Sequence, residues 1–147
     1  MKDFDFKQEL ILENDRVRLE PLQESHFSAL LPICEQAPDL LQYSPSAFGT
    51  AGHLQAYIEQ ALAARRNEQR YPFATYDKQL GQLVGSTSFG NVSNAHRRLE
   101  IGWTWITPQV QRSGLNRKAK LLQLSYAFET LGFARVEFKA DARNEAS

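Results

Sequence analysis

The sequence predicts an α+β (mixed α/β) domain in which helices cover a central, mostly antiparallel sheet, and three observations carry that prediction. Three strand-like runs, at 71–76, 82–89 and 99–106, follow one another with turn-rich segments and no helix between them. Such an order builds hairpins rather than parallel crossovers. Residues 115–131 place apolar side chains at helical spacing, and 135–140 (Arg-Val-Glu-Phe-Lys-Ala) return to the strict alternation of a strand.

The first element is expected at 16–21, where Val17 and Leu19 alternate with charged residues as in a half-buried strand. Residues 24–36 read as a helix because Phe27, Leu30, Leu31 and Cys34 recur at spacings of three and four. Thr50 is a candidate N-cap for a long helix over 51–70, with Leu54, Tyr57, Ile58, Ala61 and Leu62 on one side. Between the first two strands of the central run, Gly81 can supply the positive φ of a hairpin turn. A second turn-rich connection is expected at 90–97. In the helix at 115–131, Leu115, Ala119, Leu122 and Tyr126 form one row, and Leu121, Leu124, Phe128 and Leu131 its neighbour. Gly132 stands where a helix end accepts a left-handed residue.

A chain of 147 residues is one domain long, with no repeat or linker to divide it, so 1–147 is read as a single unit. Seventeen basic side chains balance seventeen acidic ones, which leaves no overall field to draw the chain to nucleic acid or a membrane surface; neither partner is expected. Cys34 is the sole cysteine, which excludes an intrachain disulfide and a thiolate-rich zinc site, and no metal is expected. Cys34 lies in an amphipathic helix and is read as a small core residue. No apolar leader follows Met1 and no apolar run is long enough to span a bilayer, so a cytoplasmic location is expected. His26, His53 and His96 lack ligand-like spacing and are read as surface or packing residues.

Chemistry concentrates at 99–116, Leu-Glu-Ile-Gly-Trp-Thr-Trp-Ile-Thr-Pro-Gln-Val-Gln-Arg-Ser-Gly-Leu-Asn. Pro108 ends strand pairing, and a short loop containing Gly114 leads directly into the long helix. The first turn of a helix carries unpaired N–H groups and the positive end of the macrodipole. Gly114 permits close backbone approach, and Arg112 and Arg117 add positive charge. On these grounds the segment is either an anion site or an ordinary strand-to-helix connection that uses glycine only to turn. Trp103 and Trp105 lie on a strand where alternate residues face opposite sides, and one or both are candidates for the core.

The segment Gln111-Arg112-Ser113-Gly114-Leu115-Asn116 resembles the pyrophosphate loop of GNAT acetyltransferases, Gln/Arg-x-x-Gly-x-Gly/Ala. Glu100-Ile101-Gly102-Trp103, the Arg-Leu-Glu-Pro-Leu stretch at 18–22 and Asp141-Ala142-Arg143-Asn144-Glu145-Ala146-Ser147 resemble the branch of that family related to RimJ and RimL, ribosomal-protein N-terminal acetyltransferases. Asn116 departs from the pattern, standing where many relatives have Gly or Ala. The resemblance implies a GNAT-like fold and acetyl transfer from acetyl-CoA to a primary amine, either a protein N-terminus or a small amine, by direct attack in a ternary complex.

It also implies roles. Backbone groups of Thr104, Trp105 and Ile106 would pair with the pantetheine arm, and those of Gln111, Arg112, Ser113, Gly114, Leu115, Asn116 and Arg117 would hold the pyrophosphate. Asn144 would contact the pantetheine, and Ser147 would stand near the sulfur as an acid. Relatives continue through a further helix and two strands, so the domain is expected to be incomplete at its C-terminus and to self-associate as a homodimer.

An attacking amine must be neutral, and an α-amine titrates near ~7.7 while a lysine amine titrates near ~10.4. Glu100, on the strand leading to the cofactor, is the candidate proton acceptor, against the alternative of a solvated or structurally paired carboxylate. The competing class is a non-catalytic coenzyme A-binding or assembly module. A nucleotide-binding βα unit would need repeated parallel crossovers, against which the three consecutive strands argue.

Overall fold

Val17 and Leu19 are fully buried while Arg18 and Glu20 stay partly exposed, and this alternation makes β2 (Val17–Pro21) a strand with one face on a core. A computed structural model describes residues 2–36 and 50–138 of the chain. Within them, β1 (Leu12–Glu13), β2, β3 (Arg70–Asp77), β4 (Gln82–Ser93), β5 (Arg98–Ile106) and β6 (Arg135–Phe138) form one sheet in sequence order. All neighbours are antiparallel except β5 and β6, which run parallel. The parallel pair is possible because α3 (Leu115–Ser125) provides the crossover between them.

The described helices divide between the two faces. Leu115, Ala119, Tyr126 and Ala127 pack with Tyr71, Phe73, Phe89, Leu99 and Ile101 on one face. On the other, Leu30, Ile33 and Cys34 of α1 (Phe27–Gln36) and Leu54, Tyr57, Ile58 and Ala61 of α2 (Ala51–Arg66) cover Ala74 and Trp105. This is the α+β layering expected, with the sheet mostly antiparallel. Cys34 is buried, as its position on an apolar helix face suggested.

Several boundaries differ from those expected, each for a local reason. The segment expected to be helical from Glu24 begins with a 3-10 turn, Glu24–His26, before α1. Thr50 caps α2, its side chain accepting from the His53 N–H at 3.1 Å, but the helix stops at Arg66 rather than at residue 70. Glu68 takes a left-handed φ of 59°, the Glu68 N–H bonds Arg65 O (3.0 Å) and the Gln69 N–H bonds Ala64 O (2.9 Å). This is a Schellman closure, built here on a glutamate where sequence reading looks for glycine.

β4 runs on to Ser93, into the stretch expected to be a turn. The helix expected over 115–131 changes to a π turn at Tyr126–Thr130, and its second apolar row is not uniformly covered, because Leu121 and Phe128 are exposed. Gly81 and Gly132 do adopt positive φ, 70° and 69°. The strand expected over 135–140 is described as far as Phe138.

The N-terminal arm is an addition the reading missed. Phe4, Phe6 and Leu10 are buried in the α3-side core, and the Leu10 N–H donates to Tyr71 Oη at 2.8 Å. The alternation Asp3-Phe4-Asp5-Phe6 was the available signal.

Candidate functional site

On β5, residues 99 and 101 face α3, and strict alternation would keep 103 and 105 on that face too. The structure breaks the alternation. Ser86 of β4 lies opposite Trp105 and Ser88 opposite Gly102, so Trp103 and Thr104 together oppose Thr87. That is a β-bulge, and Trp103 takes a φ of 54° to make it. Positive φ in a bulky aromatic residue is strained and persists only where its surroundings fix it. The bulge turns Thr104 toward α3, where its hydroxyl bonds that of Thr87 at 2.8 Å, and it turns Trp105 into the core beneath α1 and α2. Trp105 is therefore core, while Trp103 is half-buried over Gly90.

Past the bulge, β5 has one side without a strand. β6 pairs only with Arg98 through Ile101, so among the described residues no strand lies along the outer edge from Gly102 to Ile106. Thr104, Trp105 and Ile106 fall on that open edge. An unpaired edge offers backbone donors and acceptors to an extended ligand.

The edge leads into the loop. Thr107 donates its N–H to Val84 O at 2.7 Å, a 3-10 turn at Pro108–Val110 buries Val110, and Gln111, Arg112, Ser113 and Gly114 are all exposed. Arg112 (φ 65°) and Gly114 (φ 89°) are both left-handed. Gly114 is the N-cap of α3 and brings no side chain to it, the first turn holds no acidic residue, and the Leu115 N–H donates to Ser113 Oγ at 3.4 Å. A Cβ built on Gly114 would meet nothing within 4 Å, so this glycine serves its φ and an open mouth rather than packing inside the chain. Leu115 anchors the helix start in the core, while Asn116 is half-buried. Arg112 and Arg117 are exposed and make no ion pair among the described residues. The positive helix end is thus left free to meet an anion.

The loop is braced from behind. Arg16 binds buried Asp77 through two hydrogen bonds, Nε to Oδ1 at 2.9 Å and Nη2 to Oδ2 at 3.1 Å, and Nη2 also lies 3.5 Å from Ser113 Oγ. Burial alone would raise the Asp77 carboxyl, but the Arg16 guanidinium and the N–H groups of Gln79 and Leu80 outweigh it and hold the pKa below the ordinary value. Sequence reading did not single out this pair, since residues 61 positions apart give no local signal.

Glu100 is half-buried and accepts a hydrogen bond from Asn91 Nδ2 at 2.6 Å. It lies on the α1/α2 face, because Gly90 and Ser88 opposite its strand share that side. Asn144 and Ser147, the other candidate site residues, lie outside the described residues. Among those described, no three His, Cys, Asp or Glu side chains gather as metal ligands. No described helix is long and apolar enough to cross a membrane. A cavity of about 450 Å³ lies elsewhere, between Phe6 and Lys7 of the arm and the end of α2, and none of the candidate residues lines it.

Known proteins share this architecture. The chain is 24% identical over 137 residues to the uncharacterised N-acetyltransferase YoaA of Bacillus subtilis, covering 93% of this chain and 77% of that one. It superimposes on a GCN5-related N-acetyltransferase from Brucella melitensis with a TM-score of 0.79 and 25% identity, across 99% of this chain and 66% of the other. RimL, the ribosomal L7/L12 α-N-protein acetyltransferase, shares the fold at a TM-score of 0.75 and 18% identity, over 97% of this chain and 78% of its own. Residues 16–147 match the family described as the acetyltransferase (GNAT) domain, and the chain belongs to that family.

Proposed function

We propose that this chain transfers an acetyl group from acetyl-CoA to a primary amine, a protein N-terminus or a small amine, by direct attack within a ternary complex. The observation that carries the reading is the mouth at Gly114: a left-handed N-cap without a side chain, open space above it and no acidic residue in the first turn. The residues present fit a diphosphate, since the loop supplies backbone donors and cations and nothing that repels it.

Acetyl-CoA, when bound, supplies the acetyl group as a thioester. The open edge at Thr104, Trp105 and Ile106 would hold an extended arm by backbone pairing, and N–H groups from Gln111 to Arg117 would hold the pyrophosphate. N–H groups on β5 would stabilise negative charge on the carbonyl oxygen. Glu100 would take the proton from the incoming ammonium. Asn144 and Ser147 keep the roles implied by resemblance, pantetheine contact and proton donor to the thiolate. Kinship to the RimJ/RimL branch, a cytoplasmic location and homodimer formation belong to the same proposal.

Two measurements test it. Isothermal titration with acetyl-CoA should give micromolar binding, and addition of an amine acceptor should release free thiol. Glu100→Gln should lower kcat by about 10²–10⁴-fold while leaving acetyl-CoA affinity unchanged. Binding without thiol release from any amine would instead support the non-catalytic module.

A further inference from the structure

The sheet register places Arg70, Gly90 and Glu100 in one row across β3, β4 and β5, with the side chains of Arg70 and Glu100 on the α1/α2 face. Arg70 is buried, only 8% exposed, yet it makes no ion pair among the described residues. Its partners are neutral: Nε donates to Ser88 Oγ and Nη2 to Tyr57 Oη, each at 2.9 Å. Its guanidinium also lies against two rings, 5.2 Å from Tyr57 and 5.1 Å from Trp103. Those two bonds use Nε and Nη2, leaving Nη1 without a hydrogen bond among the described residues.

At the other end of the row Glu100 is bonded to neutral Asn91 and is likewise paired with no cation among the described residues. Between the two stands Gly90, whose missing side chain makes room for the Trp103 ring: a Cβ there would fall 2.2 Å from an indole carbon. The strained bulge thus delivers an indole between a cation and an anion that have not neutralised each other.

Charges of opposite sign on one face ordinarily pair, and a desolvated guanidinium without an anion is unfavourable. Two strand spacings separate the ends of the row by about 10 Å, a span one small molecule can bridge. We infer that this row recognises the acceptor: Glu100 meets its ammonium group, Nη1 of Arg70 meets an anionic group on the same molecule, and Trp103 forms the wall between them. The acceptor class is then an amine that carries its own carboxylate, such as an amino acid or short peptide. This deepens the acetyltransferase reading and rests on it.

The test compares a dipeptide with its C-terminal amide, whose amines titrate alike. The wild-type chain should acetylate the free acid with a kcat/KM at least about tenfold above that of the amide, one charge-assisted contact's worth. Arg70→Met should bring the ratio to about one with acetyl-CoA affinity unchanged, and Arg70→Lys, which keeps the charge if Met fails to fold, should retain part of the preference. Equal use of acid and amide by the wild type, or a preference that survives Arg70→Met, would overturn the inference. Direct titration of the dipeptide and its amide without cofactor separates the two failures. A chain that binds the acid over the amide but not acetyl-CoA has lost the acetyltransferase reading and kept the row; a chain that binds acetyl-CoA but neither peptide has lost the row alone.

Discussion

Replacing Gly114 separates two properties that a loop glycine ordinarily confounds, its backbone freedom and the space it leaves. At φ 89° an alanine pays about 1–2 kcal/mol for the left-handed backbone. Its Cβ meets no atom within 4 Å, so no clash adds to that cost. For a domain of this size the melting temperature should fall by about 2–8 °C. Binding should suffer more. A Cβ in the mouth moves a phosphate off at least one backbone N–H, and a hydrogen bond to a charged group contributes about 1.5–3 kcal/mol, roughly 10–100-fold in affinity.

Gly114→Asn makes the distinction sharper, because asparagine visits the left-handed region with little strain while placing a larger group in the same space. It should melt closer to wild type than Gly114→Ala and bind acetyl-CoA at least as weakly. Paired calorimetry and thermal melts on the two variants read both numbers. If either variant bound within about threefold of wild type, the diphosphate would not sit over this helix start and Gly114 would serve the turn alone.

Asp77→Asn should destabilise the fold by about 1.5–3 kcal/mol by weakening the charge-assisted hydrogen bonds to partly exposed Arg16, measured by urea unfolding at neutral pH. Because the Asp77 pKa is depressed from its ordinary 3.8, its contribution is fully present above pH 3.8 and is lost as pH falls through the lower native value; the acid limb of a stability profile should flatten in the variant. Gly90→Ala should cost about 1–3 kcal/mol by driving its methyl group into the Trp103 ring, and almost nothing in a Trp103→Ala background, a coupling that a double-mutant cycle reads directly. Exposed Leu121, Phe128 and Phe138 and the outer edge of β6 fit the proposed self-association; light scattering on a column eluate should show a dimer, and a monodisperse monomer at high concentration would reject it.

What was legible in the sequence was what local chemistry decides. Val17 and Leu19, Thr50, Gly81, the helix start at Leu115 and Gly132 each announce their conformation through their neighbours, and together they set the order of strands and helices. The loop from Gln111 to Arg117 was legible for the same reason, being one continuous segment between a strand and a helix. The bulge was not. Trp103 alternates as any strand residue does, and only the register against Ser86 and Ser88 shows that it breaks step. The helix expected over 51–70 takes in Arg70, because the Schellman turn at Glu68 lacks the usual glycine, and that boundary conceals a buried cation. The brace between Arg16 and Asp77 and the row from Arg70 to Glu100 are products of strand pairing, which sequence spacing does not encode.

The N-terminal arm carries a consequence for how the chain is made. Phe4 is fastened through Asn94, 90 positions later, with the Phe4 N–H donating to Asn94 Oδ1 at 2.8 Å, and the Lys2 N–H bonds Leu131 O. At synthesis rates of about 5–20 residues per second, the arm leaves the ribosome roughly 5–20 s before its docking site exists. For that interval Phe4, Phe6 and Leu10 lack the core they pack against in the folded chain. Asp3, Asp5 and Lys7 are interleaved with the aromatics, and such charges discourage sticky segments from pairing with one another. The arm is synthesised ahead of the sheet on which it docks, and its alternating charges suit it to the wait.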